Sequence, residues 1–563
     1  MSSSHVFRSR HPDINLPKDV SLWSWIFEAP HSSLSRAGRN AIQGWTDVPT
    51  GQHLSYQDVK DLTSRLSTAL IQQRTLQQGD AIVVFARNTV WYPVVMLGAV
   101  RAGAIGCGCS PDYNVEELAY ALTASKAKFV VTTSDKLNVA EPAASRAGIA
   151  PANILLLDEP ATHTSRSIHH LIASVRGKPL TEPFRIPENK TNHQICGYYG
   201  FSSGTTGLPK AVMISHANVM AQCLQIEQLT PADHRRILAA LPFYHITGVV
   251  HQLHLPVVLN AHVYILPTFT MEDMLATVER HKIKEILLVP PIIVRMVREE
   301  ALLQKFDLRH VERFSSGAAP LSQEILSLLE KQFPGTGFKQ GYGMTESCSC
   351  ITAHPPDRYA YRYAARVGSV VASTEVLVVD PGTGRRCGVG EVGEIWARGP
   401  QITMGYLNNE KSTRETYDAD GFLHTGDIGC FDEEGMLSIT DRLKEMVKVK
   451  GIGVAPAELE DLLLGHAAVD DCAVIGIADE RAGERPKAFV VLAKGYAGRE
   501  EHVGRELLSF VREKKTRHKW MKEVEFVSAI PKSPAGKILR KILRQKGRPV
   551  GAVVREQAQA AKL

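Results

Sequence analysis

What the chain lacks narrows the field first. Its nine cysteines form no C-x-x-C array; Cys107/Cys109 and Cys348/Cys350 are C-x-C pairs, so there is no zinc framework. An odd, irregularly spaced set reads as reduced thiols of an intracellular protein. Aromatics are scarce, at 7%, and no dense Lys/Arg patch interleaves with them, which argues against nucleic acid as a partner. No apolar run reaches membrane-spanning length: the stretch 88–100 is bounded by Arg87 and Arg101, and Leu287–Val294 contains Pro290-Pro291. Residues 1–19 hold no apolar secretory core, and neither repeats nor low-complexity tracts occur.

What is present is ordinary globular composition on a long chain. At 563 residues it exceeds one hydrophobic core, which implies at least two domains. A net charge of +6 is mild and suits phosphate-bearing small molecules. Short β-rich runs (81–85, 128–132, 154–157, 285–289) alternate with helical spacing (92–102, 292–300), predicting an α/β architecture with mostly parallel sheet. After about residue 374 short strands crowd together (375–379, 393–397, 436–439), predicting a β-rich subdomain. Beyond 441–444 the pattern is compact α+β: helices at 457–464 and 505–514, strands at 471–477, 488–492 and 523–527, then a Pro/Gly loop at 531–536 and a short helix.

The most informative segment runs Phe201-Ser202-Ser203-Gly204-Thr205-Thr206-Gly207-Leu208-Pro209-Lys210. Glycines let backbone N–H groups approach an anion, hydroxyls donate to phosphate oxygens, and lysine adds a point charge. It is not the G-x-x-x-x-G-K-[ST] loop, and composition alone would equally describe a surface connector. Gly341-Tyr342-Gly343-Met344-Thr345-Glu346 then sets an aromatic, a hydroxyl and a carboxylate around two glycines, suited to a base, a phosphate and Mg²⁺. His424-Thr425-Gly426-Asp427 offers a carboxylate for ribose hydroxyls, and Pro531-Lys532-Ser533-Pro534-Ala535-Gly536-Lys537 ends in a lysine after a glycine turn.

These segments, with Leu241-Pro242-Phe243-Tyr244-His245 and Asp441-Arg442-Leu443-Lys444-Glu445 in order between them, resemble the adenylate-forming enzymes: acyl- and aryl-CoA ligases, firefly luciferase and peptide-synthetase adenylation domains. The likeness runs from Leu54 to Arg540. Arg101-Ala102-Gly103-Ala104 and the stretch 451–460 look most like the 4-coumarate–CoA ligase branch. The resemblance implies an ATP-dependent acid–CoA ligase using ATP, Mg²⁺ and coenzyme A on a small-molecule carboxylic acid. It implies a large adenylation domain at 1–442, built of α/β subdomains and a β-rich one, and a small mobile α+β domain at 443–563. Ser202, Ser203, Gly204, Thr205, Thr206, Gly207 and Lys210 would hold the β- and γ-phosphates, Thr345 the α-phosphate, and Glu346 the metal. Gly317, Ala318, Gln340, Gly341, Tyr342, Gly343 and Met344 would line the adenine slot. Asp427 and Arg442 would fix the ribose, with Lys448 also at the nucleotide. Lys537 would bridge the carboxylate and α-phosphate, with His245 beside the acyl group.

For the second step the resemblance implies rotation about Lys444, which removes Lys537 and brings in Lys450 and Gly451 for coenzyme A. The resembled ligases carry Gln or Asn where this chain has Gly453. The acyl pocket would include Thr247, Gly248, Gly317, Gly341, Ser349 and Cys350. Coumarate ligases commonly have Pro-Val at the last two, so an aryl, arylacetic or medium-chain acid fits equally well. Loading of a carrier protein, a luciferase-like oxygenase and a non-catalytic nucleotide-binding relative are the competing readings. Ala561-Lys562-Leu563 is similar to the S-K-L peroxisomal address, implying an import receptor as partner and a peroxisomal matrix location, otherwise cytoplasmic.

Overall fold

The structure, a computed structural model, describes residues 5–30, 32–36, 42–158, 166–202, 209–317, 321, 323–450, 452–532, 537–545 and 551–556. Ser203, Gly204, Thr205, Thr206, Gly207, Ala318, Gly451 and the tripeptide Ala561-Lys562-Leu563 lie outside the described residues.

Ala81–Phe85 sits inside a six-stranded sheet ordered Ile154–Leu156, Ala127–Thr132, Ala81–Phe85, Ile105–Gly108, Cys196–Ser202, Lys210–Ser215. All pairs are parallel except the last. Every residue of Ala81–Phe85 is buried, as expected of a strand covered on both faces. The helix Trp91–Arg101 is nearly as buried. Arg101, read from sequence as a bounding charge, is itself buried. Its guanidinium stacks over Trp23 at 5.0 Å and donates to Ser67 Oγ at 2.7 Å and Thr181 O at 2.6 Å.

A second, four-stranded sheet carries Arg236–Ala239, and a third begins with three parallel strands, Glu285–Leu288, Arg313–Ser316 and Gly337–Met344. Ile286, Leu288, Phe314 and Phe338 of the third belong to one core with residues of the helices Met271–His281, Pro290–Arg298 and Gln323–Gln332. Ser349–Ala353 and Ser369–Val370 extend this sheet antiparallel. The helix expected at 292–300 instead starts on its proline pair, which suits the first turn because proline's missing N–H is unneeded there.

The β-rich region is a fully antiparallel sheet: Phe7–Arg8, Glu375–Val379, Gly393–Arg398, Leu423–Phe431, Leu437–Arg442. Beyond it, Val469–Asp479 and Gly483–Leu492 form a long hairpin extended by Glu523–Phe526 and Val553–Arg555. This C-terminal sheet has its own core, including Val447, Leu459, Val474, Val490, Leu507 and Val524. Parallel pairing therefore dominates only the N-terminal sheets.

Among the described residues, Arg298 and Asp441 make polar contacts with the C-terminal part. Arg298 donates to Asp470 O at 2.8 Å and Oδ1 at 3.0 Å. Asp441 Oδ2 accepts from Ala457 N at 3.1 Å, in the first turn of the helix Pro456–Leu464. The nine cysteines are all free thiols.

Candidate active site

The site is assembled where the ends of three sheets meet. Ser202 and Lys210 are register partners closing the hairpin whose connection holds the Ser/Thr/Gly segment. The Lys210 ammonium lies 4.7 Å from the Tyr406 ring centroid, a cation–π distance. Tyr406 Oη donates to Glu346 Oε1 at 2.8 Å, and Thr403 Oγ1 to the Glu346 carbonyl at 2.9 Å. Thr345 and Glu346 are both buried. Gly200 allows this approach: a Cβ there would meet Thr345 Cγ2 at 2.8 Å.

The strand Gly337–Met344 turns back on Ser349–Ala353 through the short turn Thr345–Ser347. Ser347 Oγ accepts from Met344 N at 2.9 Å and donates to Ser349 O at 2.8 Å. The turn is tight enough that Ser349 takes φ 99°, and a Cβ on Gly343 would sit 1.6 Å from Ser349 O. The two glycines around Tyr342 thus have separate work: Gly343 admits the returning strand, and a Cβ on Gly341 would press on Cys350 Sγ at 3.1 Å.

Asp427 and Arg442 face each other as register partners on adjacent strands, Arg442 Nε 3.1 Å from Asp427 Oδ1. Tyr342 Oη donates to Asp427 Oδ2 at 2.8 Å. Burial raises the Asp427 carboxyl above its ordinary value, against the opposing pull of Arg442 and Tyr342. Lys537 completes the arrangement from the C-terminal part. Burial first, then Arg442, push its ammonium down to about 8, while Glu445, Asp427 and Glu346 act to hold it charged. Its loop is closed by a bridge between Lys532 and Ile538 and by Leu539 N donating to Pro531 O at 2.8 Å. Three residues on, Arg540 is clamped by Glu460 (2.6 and 2.7 Å), by Glu445 and by the Val474 carbonyl.

Beside this lies a cavity of about 130 Å³. His245, Thr247, Gly317, Gln340, Gly341, Gly343, Met344, Ser349 and Cys350 line it, as do the apolar Ile226, Leu229 and Leu255. His245 caps the turn Ile246–Gly248, and burial pushes its imidazole down to about 4, so it is neutral at physiological pH. Gly248 is not part of the lining; it packs on Pro242, where a Cβ would meet the carbonyl oxygen at 2.2 Å. Gln340 is held by its backbone on His354 and by its side chain on the Ala364 carbonyl.

Lys444, Lys448 and Lys450 are exposed. Lys448 N donates to Glu484 and Lys450 N to Ala482 O, so their backbones are tied to the C-terminal sheet. Sequence reasoning missed Tyr406, the Glu346 partner, and His251, whose Nε2 lies 3.0 Å from Ser349 Oγ inside the cavity. Neither sits in a motif; a lone aromatic and a lone histidine give no local signal.

The site unites a carboxylate–guanidinium pair, a buried Thr-Glu turn and an ammonium contributed by a second lobe. Comparison with known proteins shows the family. Residues 33–407 match the AMP-binding enzyme family, and residues 458–537 match the AMP-binding enzyme C-terminal domain. The chain is 36% identical over 554 residues to 4-coumarate–CoA ligase 5 of Oryza sativa subsp. japonica, covering 96% of this chain and 97% of that one. It is 32% identical to the peroxisomal OPC-8:0-CoA ligase 1 of Arabidopsis thaliana, with 96% of each covered. The solved anthranilate CoA ligase AuaEII in complex with anthranoyl-AMP shares the fold at TM-score 0.81 and 22% identity, over 94% of this chain and 97% of that one. The chain belongs to the AMP-binding enzyme family, as an AMP-forming acid–CoA ligase.

Proposed function

We propose that the protein joins a carboxylic acid to ATP, giving acyl-adenylate and pyrophosphate, and then transfers the acyl group to coenzyme A, releasing AMP. The observation that carries this reading is the buried ammonium of Lys537, brought by the C-terminal part within electrostatic reach of Arg442, Glu445, Asp427 and Glu346. Both reactants of the first step are anions, so the site's task is to neutralise charge and align the carboxylate with the α-phosphorus; no protein nucleophile is needed. Lys537 bridges carboxylate and α-phosphate. Lys210 and Ser202, with the Ser203–Gly207 segment, hold the outer phosphates, and Thr345 holds the α-phosphate. Asp427, oriented by Arg442 and Tyr342, accepts the ribose hydroxyls.

The Glu346 carboxylate fits Mg²⁺: it is a buried hard-oxygen donor with one oxygen anchored by Tyr406. Among the described residues no group of three His, Cys, Asp or Glu could hold a metal. The remaining ligands would therefore come from phosphate and water, the usual pattern for this ion, whose chemistry is to offset phosphate charge.

The second step uses rotation of a C-terminal unit, 443–563, about exposed Lys444. Arg298–Asp470 and Asp441–Ala457 are among the contacts that would break. Lys450 and Gly451 then approach coenzyme A. An aryl or medium-chain acid suits the small, part-apolar cavity. Ala561-Lys562-Leu563 and the name of the Arabidopsis relative support peroxisomal import; a fluorescent fusion with and without the tripeptide tests it.

The functional test is pyrophosphate release from purified protein with ATP, Mg²⁺ and a panel of aryl and fatty acids, with and without coenzyme A. Release that accelerates with coenzyme A and yields a thioester is expected. Release without thioester formation would indicate a carrier-protein acceptor, and no release with any acid would overturn the reading.

A further inference from the structure

Glu445 is a buried acid with no place in the chemistry above. It follows the exposed Lys444 and closes a tight turn on the nucleotide side. Glu445 N and Met446 N both donate to Arg442 O, at 2.9 and 3.1 Å, and Leu443 N donates to Gly426 O at 2.8 Å. The Glu445 backbone is thereby fixed to the end of the strand Leu437–Arg442. Its side chain reaches into the C-terminal part, where Oε2 accepts from Arg540 Nη1.

Arg540 opens the helix Arg540–Gln545, three residues after Lys537. It does not need Glu445 for its own neutralisation. Glu460 takes two bonds from Nη2, at 2.7 and 2.6 Å, and the Val474 carbonyl takes Nε at 3.1 Å. Glu460 Oε1 also accepts from Val474 N at 2.7 Å, which fixes the clamp. A second buried carboxylate on the same guanidinium costs desolvation with no cation of its own to offset it. A counterpart for that charge lies close by. Burial and Arg442 push the Lys537 ammonium down, and Glu445 is the strongest of the acids that oppose them, ahead of Asp427 and Glu346.

We propose that Glu445 is a positioning residue of the adenylation step: through Arg540 it sets the arm carrying Lys537 in register with the strand carrying Arg442, and it gives the Lys537 ammonium a counter-charge until the substrates arrive. The proposal rests on the ligase reading and the lobe rotation above. Glu445 and Arg540 both lie beyond Lys444 and travel with Lys537. The bond from Glu445 N to Arg442 O instead spans the pivot and belongs to the present arrangement. Glu445 thus registers Lys537 in the one orientation where Lys537 acts. An acid that served only to keep the C-terminal part folded would slow both half-reactions alike.

The test is Glu445→Gln, which keeps the shape and one acceptor for Arg540 and removes the charge. The kcat of pyrophosphate release should fall by about tenfold or more, the scale of a misplaced reacting group, with KM for ATP little changed. Thioester formation from chemically prepared acyl-adenylate and coenzyme A should stay near the wild-type rate. In a Lys537→Ala background the same substitution should cost nothing further, because the two residues act as one unit. Glu445→Asp withdraws the carboxylate by one methylene and should give a smaller loss in the same step. Thermal melts of each variant separate lost positioning from lost folding, and if Glu445→Gln does not fold, Glu445→Asp in both backgrounds decides. Equal slowing of both half-reactions, a loss that adds in full to that of Lys537→Ala, or an unchanged adenylation rate in every folded variant overturns the proposal alone. No pyrophosphate release from wild type with any acid overturns the ligase reading with it.

Discussion

Arg442 and Asp427 are direct register partners across two antiparallel strands, and the Arg442 Nε stands 3.1 Å from a carboxylate oxygen that is almost wholly buried. The remaining oxygen is held by the Tyr342 hydroxyl at 2.8 Å, so the carboxylate is fixed from two sides before any nucleotide arrives. Such preorganisation suits the pair to the ribose role proposed above.

Arg442→Ala removes the ion-pair partner of Asp427 on the adjacent strand and lets burial drive its carboxyl further up. A charge-assisted contact of about 1.5–3 kcal/mol is lost, so the KM for ATP and the Kd for AMP should rise by roughly ten- to a hundredfold. Titration calorimetry with AMP measures this. Unchanged AMP affinity would rule out the ribose role.

Tyr406 acts on Glu346 through its hydroxyl and on Lys210 through its ring. Tyr406→Phe keeps the ring and removes the hydrogen bond, so the Mg²⁺ concentration for half-maximal activity should rise about threefold to tenfold with little change in KM for ATP. Tyr406→Leu removes both contacts and should raise both quantities. Magnesium titrations at saturating ATP separate the two.

Lys537 carries a stability signature as well as a chemical one. Its ammonium is pushed from an ordinary 10.5 to about 8 by burial. Between those pH values the unfolded chain binds a proton that the folded chain does not, so stability from this group rises with pH across the window. Below about pH 8 the folded protein bears the full cost of the buried charge. Lys537→Met should therefore melt higher than wild type at pH 7, and the gap should close above pH 10.5. A gap that does not depend on pH contradicts the burial assigned to this side chain.

Arg298 reaches from the N-terminal helix Pro290–Arg298 to Asp470 in the C-terminal part and holds the lobes in the present arrangement. The pair is partly exposed, so its contribution is small. Arg298→Ala should slow adenylate formation about twofold to fivefold and leave thioester formation from supplied acyl-adenylate unslowed. Equal slowing of both steps would mean that the contact does not discriminate between lobe orientations.

Much of the scaffold is legible in the sequence because its signals are local. Ala81–Phe85 is a strand with the bounds its β-rich run predicts, and Trp91–Arg101 begins one residue early and ends one residue short of its expected helix. Glycines, hydroxyls and charges in short motifs mark Thr345, Glu346, Asp427 and Lys537. Strand ends are less legible. The strand expected at 436–439 runs on to Arg442, because pairing with Asp427 extends the ladder and no local propensity encodes that partner. The burial of Arg101 depends on Trp23, Ser67 and Thr181, distant in sequence. The ion-pair cluster of Glu285, Arg313 and Lys339 is invisible for the same reason: they are single charges in three strands that only parallel pairing brings together.

The central claim is that Lys537, delivered by a second lobe, serves adenylate formation and not thioester formation. The measurement is the rate of each half-reaction in Lys537→Ala: acid-dependent pyrophosphate release, and thioester formation from chemically prepared acyl-adenylate and coenzyme A. The account predicts a loss of at least about a hundredfold in the first, the scale of a removed transition-state charge contact, with the second near the wild-type rate. Equal loss of both would contradict it.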